Sequence, residues 1–193
     1  MTSNPREGEL GNLYHSIMSR RDRGDSGGPD IRRSGLPPVV GPDPRILVLG
    51  SFPSALSLEK EEYYANPRNQ FFTIIEDLFS IKKDSPYQER ISALMERHIA
   101  LWDVIQSCTR PGSSDTRIRN ALPNDLMTFF NEHPGIRIVA LNGRKAGQYS
   151  PIVRKAWNHA RAVEIVILPS TSPANARCSL GEKTLQWRRI LSA

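Results

Sequence analysis

The sequence predicts an α/β fold, a short and mainly parallel central sheet covered by helices on both faces. Three observations predict it. The apolar runs ILVL (46–49), IALWDVI (99–105), IRIVALN (136–142) and VEIVILP (163–169) are nearly continuous rather than alternating, the pattern of strands buried on both faces. Amphipathic helical segments separate them, so strands and helices alternate along the chain. Each run passes directly into a polar stretch rich in Gly, Pro, Ser or Asn, and right-handed crossovers bring such stretches to one edge of the sheet.

Length and charge set the limits. With 193 residues the chain has room for one ordinary domain and a tail. Lys and Arg number 26 against 20 Asp and Glu, a formal charge of +6, and the isoelectric point is about 9.6, which favours a polyanionic partner. Cys108 and Cys178 lie too far apart for a zinc or iron–sulfur spacing and read as free thiols in a reducing compartment. No apolar run approaches the roughly 20 residues that span a bilayer, and the N-terminus lacks a secretory core. An intracellular, soluble protein is expected, with no membrane contact.

Residues 1–40 are rich in Arg, Asp, Gly, Ser and Pro. They have little apolar surface with which to offset the entropy of ordering, so a disordered basic tail is expected there and a folded domain over 41–193. NLYHSIM could form a helical turn on a partner, and the tail arginines could touch phosphate. PPVVGPDP is a stiff entry to the first strand at Arg45. QFFTIIEDLF spaces Phe71, Phe72, Ile74, Ile75, Leu78 and Phe79 as a core helix. ERISALMERH is a second short helix, with Ile91, Leu94 and Met95 inward. IALWDVI is the next strand, interrupted by Asp103, whose expected part is structural, at a strand end. SCTRPGSSDTRIRN follows as a polar loop. DLMTFFNEH is helical, GRKAGQYSPIVRKAWNHA is a helix opening at a glycine turn, and LGEKTLQWRRIL closes the chain as an amphipathic helix. No internal repeat is evident, and the histidines have no metal spacing.

The loops after the four strands hold most of the unusual polar chemistry: GSFPSALSLEKEEYYANPRN, QSCTRPGSSD, NGRKA and PSTSPANA. Ligands gather at the carboxyl ends of strands in open α/β sheets, so these loops predict one composite site. Taken in order, GSFPSALSLEKEEYYANPRNQFF, WDVIQSCTRPGSSD, PNDL, NGRKA and LPSTSPANA resemble the uracil-DNA glycosylase superfamily, most closely its hypoxanthine-DNA glycosylase branch. The resemblance covers Arg45 to the C-terminus. It implies a three-layer α/β/α sandwich and a monofunctional enzyme that flips a deaminated base out of DNA and hydrolyses its N-glycosidic bond. Neither metal nor cofactor is implied. The partner is DNA containing a deaminated base, met by a monomer in the cytoplasm of a prokaryote or in a eukaryotic nucleus.

The resemblance also implies roles. Asn69 matches the asparagine that holds the attacking water, since an amide can accept and orient it without acting as a strong base. The same residue precedes a helix, where asparagine is favoured as a cap, and both roles could hold. Gly50, Ser51, Phe52, Pro53 and Ser54 form the base-reading loop. Relatives often carry a water-activating Asp or Asn between the glycine and the proline; here those positions are Ser51 and Phe52, which counts against efficient uracil excision. Tyr64 matches the aromatic that stacks under the everted base, with Tyr63 as the alternative. Arg68 could pair with a phosphate or with an acid of the site. Ser170, Thr171, Ser172, Pro173, Ala174 and Asn175 match the loop that grips phosphates and enters the duplex. Leu168 stands where the uracil-specific branch has histidine. Asp115 is the carboxylate most suited to polarise the water or fix Arg68, although a Ser-Ser-Asp turn before a helix explains it equally. Asn142, before Gly143, is expected to line the base pocket, or to be an ordinary turn pair.

Hypoxanthine is the base expected. Uracil, xanthine or mismatched thymine would keep the enzyme and change the substrate. A non-catalytic nucleic-acid-binding module, or a hydrolase of free nucleosides on the same sheet, are the rivals of other classes.

Overall fold

A computed structural model describes residues 31–158 and 162–192. NLYHSIM, the expected tail through Asp30, and His159 lie outside the described residues. Four parallel strands form the centre, β2 (Ile46–Gly50), β3 (Ile99–Asp103), β6 (Ile138–Asn142) and β7 (Glu164–Leu168), side by side in the order β3-β2-β6-β7. Strand order reverses between β2 and β6, so the chain leaves their carboxyl ends in opposite directions and opens a crevice there.

The apolar continuity of β2 is explained by its two faces. Leu47 and Leu49 pack on one side against Phe129 and Phe130 of α4 (Leu126–Glu132), Ala146 of α5 (Arg144–Gly147) and Ile152 of α6 (Ser150–Ala156). Ile46 and Val48 pack on the other against Phe71 and Ile74 of α2 (Phe71–Phe79), Leu94 of α3 (Tyr87–Glu96) and Trp187 of α7 (Leu180–Trp187). Two cores separated by one sheet make the α/β/α sandwich.

The structure differs from the sequence reading in four places. Residues 32–40, expected in the tail, are ordered: β1 (Arg32–Ser34) pairs antiparallel with β4 (Ile105–Thr109), and Val39 exchanges two backbone hydrogen bonds of 2.9 Å with Leu101. The backbone partners and the half-buried Leu36 and Val39 supply what the polar composition lacked. IALWDVI is two strands rather than one, since β3 ends at Asp103 and the chain turns into a small antiparallel sheet completed by β5 (Arg119–Pro123), in the order β1-β4-β5. That sheet takes up the two ends of the expected polar loop, 107–109 and 119–120, and leaves 110–118 between them with a short 3-10 turn at Asp115–Arg117. The helix expected over 143–160 is broken into α5 and α6, with Pro151 in the first turn of α6, where its missing N–H costs nothing. A short helix, α1 (Ala55–Lys60), follows the first loop, capped by the Ser54 hydroxyl on the Ser57 N–H.

Candidate active site

A cleft of about 2000 Å³ opens at the carboxyl edge of the parallel sheet, and all four loops reach it. Gly50 to Ser54 enter after β2, Asp103 from the end of β3, Ser113 to Thr116 beyond β4, Asn142 after β6, and Leu168 to Asn175 after β7. Asn66 and Asn69 close it from the segment before α2. The composite site expected from the loops is therefore one cavity.

Asn69 lines the cleft half-buried, and its Oδ1 accepts the Phe71 N–H at 3.0 Å. That bond orients the amide and still leaves Oδ1 a second lone pair and Nδ2 two donors. Capping and solvent access coexist here. Gln70 beside it receives the buried Lys183 ammonium on its Oε1 at 2.7 Å, and its N–H binds the Thr171 carbonyl at 3.0 Å. Helix α7 thus holds the Asn69 segment and the 170–175 loop together, and Trp187 adds its Nε1 donor to the Pro169 carbonyl at 3.0 Å.

Tyr64 lines the cleft with a left-handed backbone, φ 58°, and one face of its ring stacks on Phe71 at 3.9 Å between centroids. Burial pushes its phenol well above the ordinary range, so the hydroxyl stays neutral. Asn142 Nδ2 donates to that hydroxyl at 3.2 Å and to Thr171 Oγ1 at 3.0 Å, and Asn142 Oδ1 accepts the Thr171 N–H. Asn142 therefore ties the stacking tyrosine to the last loop. Tyr63, the alternative, is only 5% exposed and sends its hydroxyl to the Pro37 carbonyl at 3.0 Å, away from a stacking role.

A partly buried polar cluster ties the first loop to Asp115 and Arg110. Ser51 Oγ donates to Asp115 Oδ2 at 2.5 Å, and the Arg110 guanidinium approaches Asp115 Oδ1 at 3.5 Å. Arg110 also donates to the Pro53 carbonyl and lies over the Phe52 ring at 4.9 Å. Burial raises the Asp115 carboxyl, while the Ser51 hydrogen bond and Arg110 oppose that shift. Asp103 is pushed further, up to about 8, by burial first and by the charge of Asp115 second, with Arg110 opposing.

Some expectations change. The basic partner of Asp115 is Arg110, which folds under the loop, whereas Arg68 is exposed and is not part of the cleft wall. Thr171, expected to grip DNA, is fully buried and bound to Asn142 and Gln70, so it fixes the loop from beneath. Phe52 is 6% exposed and belongs to the core as much as to the cleft. Pro173 and Ala174 stand exposed at the loop tip, with Ser170, Ser172 and Asn175 half-buried behind them. Asn175 Nδ2 braces the turn on the Ser170 carbonyl at 3.1 Å. Asp103 and Arg110 are the residues that the sequence reading undervalued. A lone carboxylate inside an otherwise apolar strand was the available signal for the first, and the second had none. Among the described residues no three His, Cys, Asp or Glu side chains come together as a metal-holding group, and no helix is long and apolar enough to cross a membrane.

The family model of the uracil DNA glycosylase superfamily matches residues 37–190. The chain belongs to that superfamily. A Methanosarcina barkeri protein named hypoxanthine DNA glycosylase is 37% identical over 162 residues, spanning 81% of this chain and 96% of its own. A Methanosarcina acetivorans protein of the same name is 34% identical over 159 residues, spanning 82% and 97%. Among solved structures, the solution structure of a Methanosarcina acetivorans protein described as a candidate uracil DNA glycosylase superposes with a TM-score of 0.71. It is 33% identical and covers 83% of this chain and 99% of that one. The superfamily match begins at Pro37, in the entry segment, which agrees with the order seen in residues 32–40.

Proposed function

We propose that this member of the superfamily is a monofunctional DNA glycosylase that excises hypoxanthine from DNA. The observation that carries the reading is the cleft lined together by Asn69, Ser51, Tyr64 and the 170–175 loop, in a chain alike along most of its length to two proteins named for hypoxanthine.

The reaction breaks the bond between C1′ and N9 of the purine nucleotide. Positive charge grows on the sugar, negative charge on the base, and water attacks the opposite face. Asn69 holds that water through the free lone pair of Oδ1, oriented by the Phe71 N–H. Tyr64, backed by Phe71, offers a rigid stacking surface to the everted purine, worth on the order of 1–3 kcal/mol. The first loop, stiffened by Arg110 at the Pro53 carbonyl, reads the base edge. Asp115 polarises the water's surroundings through Ser51. The exposed Pro173 and Ala174 enter the duplex while Ser170, Ser172 and Asn175 meet phosphates, and Arg68 acts at the outer rim. Arg144 and Arg177 also line the cleft and extend the cationic track.

Oligonucleotides that each carry one lesion test the reading. Hypoxanthine is released fastest, with uracil, xanthine and mismatched thymine behind it. Release of uracil with none from inosine-containing DNA refutes the substrate, and DNA binding without alkali-labile sites on any lesion refutes the enzyme.

A further inference from the structure

Among the described residues Asp103 is the one carboxyl of the cleft wall without a part in the proposed reaction, and its surroundings do not fit a structural part. It is 5% exposed, ends β3, and lies opposite Gly50 in the strand register. A Cβ on Gly50 would collide with Asp103 Oδ1, so the strand carrying the base-reading loop leaves room for this carboxyl. The strand end is held by the Asp103 backbone carbonyl, which accepts Asn124 Nδ2 at 2.8 Å. The side chain does none of that work. Among the described residues Oδ2 has no hydrogen-bond partner. Ser51 and the two terminal nitrogens of Arg110 turn to Asp115 and the Pro53 carbonyl, and the buried Arg110 Nε makes no hydrogen bond to Asp103.

We propose that Asp103 acts as a neutral acid toward the leaving base, donating its carboxyl O–H to an acceptor nitrogen or oxygen of the everted purine as the glycosidic bond breaks. The assignment rests on the glycosylase reading. The C1′–N9 electron pair moves onto the purine, the water oxygen bonds C1′, and a proton from that water ends on the released base. Asp103 keeps its own proton throughout and lowers the energy of the growing purine anion by hydrogen bonding alone. A buried carboxyl without donors favours the protonated form, and a protonated carboxyl needs an acceptor. Of the groups that face it, Asp115 opposes ionisation and Arg110 favours it, while Tyr63 and Tyr64 are held neutral chiefly by their own burial. Burial dominates and carries the carboxyl up to about 8, so the donor is present at neutral pH.

The test is single-turnover release of hypoxanthine from an inosine-containing oligonucleotide, between about pH 5.5 and 9.5, for the wild type and for Asp103→Asn, Asp103→Ser and Asp103→Ala. The wild-type rate should be level at low pH and fall roughly tenfold per unit above about 8. Asn and Ser donate without titrating there. Whichever of them folds should stay within about tenfold of the wild type at neutral pH and lack the Asp103 limb, while Ala loses about 100-fold or more at every pH and still binds abasic-analogue DNA. A wild-type rate that climbs with pH, or folded Asn and Ser variants as inactive as Ala, would mean that the ionised form acts, and overturns the proposal. So does a falling limb of the same midpoint in wild type and variants, which belongs to the ionising lactam of the substrate. No release from any lesion at any pH overturns the glycosylase reading itself, and Asp103 falls with it.

Discussion

For single residues, neighbours decide which polar group is free to act. Asn69 illustrates this: its helix-entering hydrogen bond to Phe71 does not compete with water binding, because a carbonyl oxygen accepts twice. Asn69→Ala should lower base release by about 100-fold or more, with salt-sensitive DNA binding kept; gel-shift titration beside a cleavage assay checks this. Asp103 also bears on stability. Its carboxyl is raised in the fold, so between about pH 4 and 8 the folded chain holds a proton that the unfolded chain releases, and stability falls as pH rises through that window. Asp103→Asn removes this slope. Relative to wild type, the variant should gain up to about 1.4 kcal/mol per pH unit on going from pH 5 toward 8, as read by denaturant unfolding. Arg110 was legible only as one arginine in a polar loop. Nothing in its local sequence distinguishes a guanidinium that folds beneath the Pro53 carbonyl from one in solvent.

Among helices and strands, local sequence and long-range contact share the outcome. Helix α7 carries its own start signal, a capping box in which Ser179 and Glu182 bind each other's backbone N–H. Ser179→Ala should cost about 1 kcal/mol in thermal or denaturant unfolding. It should also loosen the 169–171 segment, because Lys183 and Trp187 of this helix hold Gln70 and the Pro169 carbonyl. Gly143 begins α5 at φ 98°, and a Cβ there would lie 2.7 Å from the Ser170 Cβ. Gly143→Ala should therefore displace the 170–175 loop and weaken DNA binding, visible as a raised dissociation constant together with a lowered melting temperature. Strands β4 and β5 were not legible as strands. IQSCT and RNALP are short and part polar, the polar RPGSSDTRI stretch runs between them, and β4 pairs on its other side with β1, whose own sequence reads as tail.

For the molecule entire, a +6 chain carries Arg144, Lys145 and Arg177 around the cleft where DNA is proposed to bind. Arg144→Ala and Arg177→Ala should each lower the slope of log affinity against log salt by roughly 0.7–0.9 while leaving lesion preference unchanged. The parallel sheet, the two-sided burial of β2, β3 and β6, and the edge to which the polar loops are sent are written into the order of residues, whereas the equally apolar β7 leaves Ile167 half exposed at the side of the sheet. Strands covered on both faces must be continuously apolar, and crossovers of one hand send the following loops to one side. Strand order, the ordering of residues 32–40, the exchange of Arg68 for Arg110 as partner of Asp115, and the place of the buried Asp103 in the cleft wall emerge first in three dimensions. These depend on which segments, distant along the chain, come within hydrogen-bond reach, and pattern within a single segment carries no record of that.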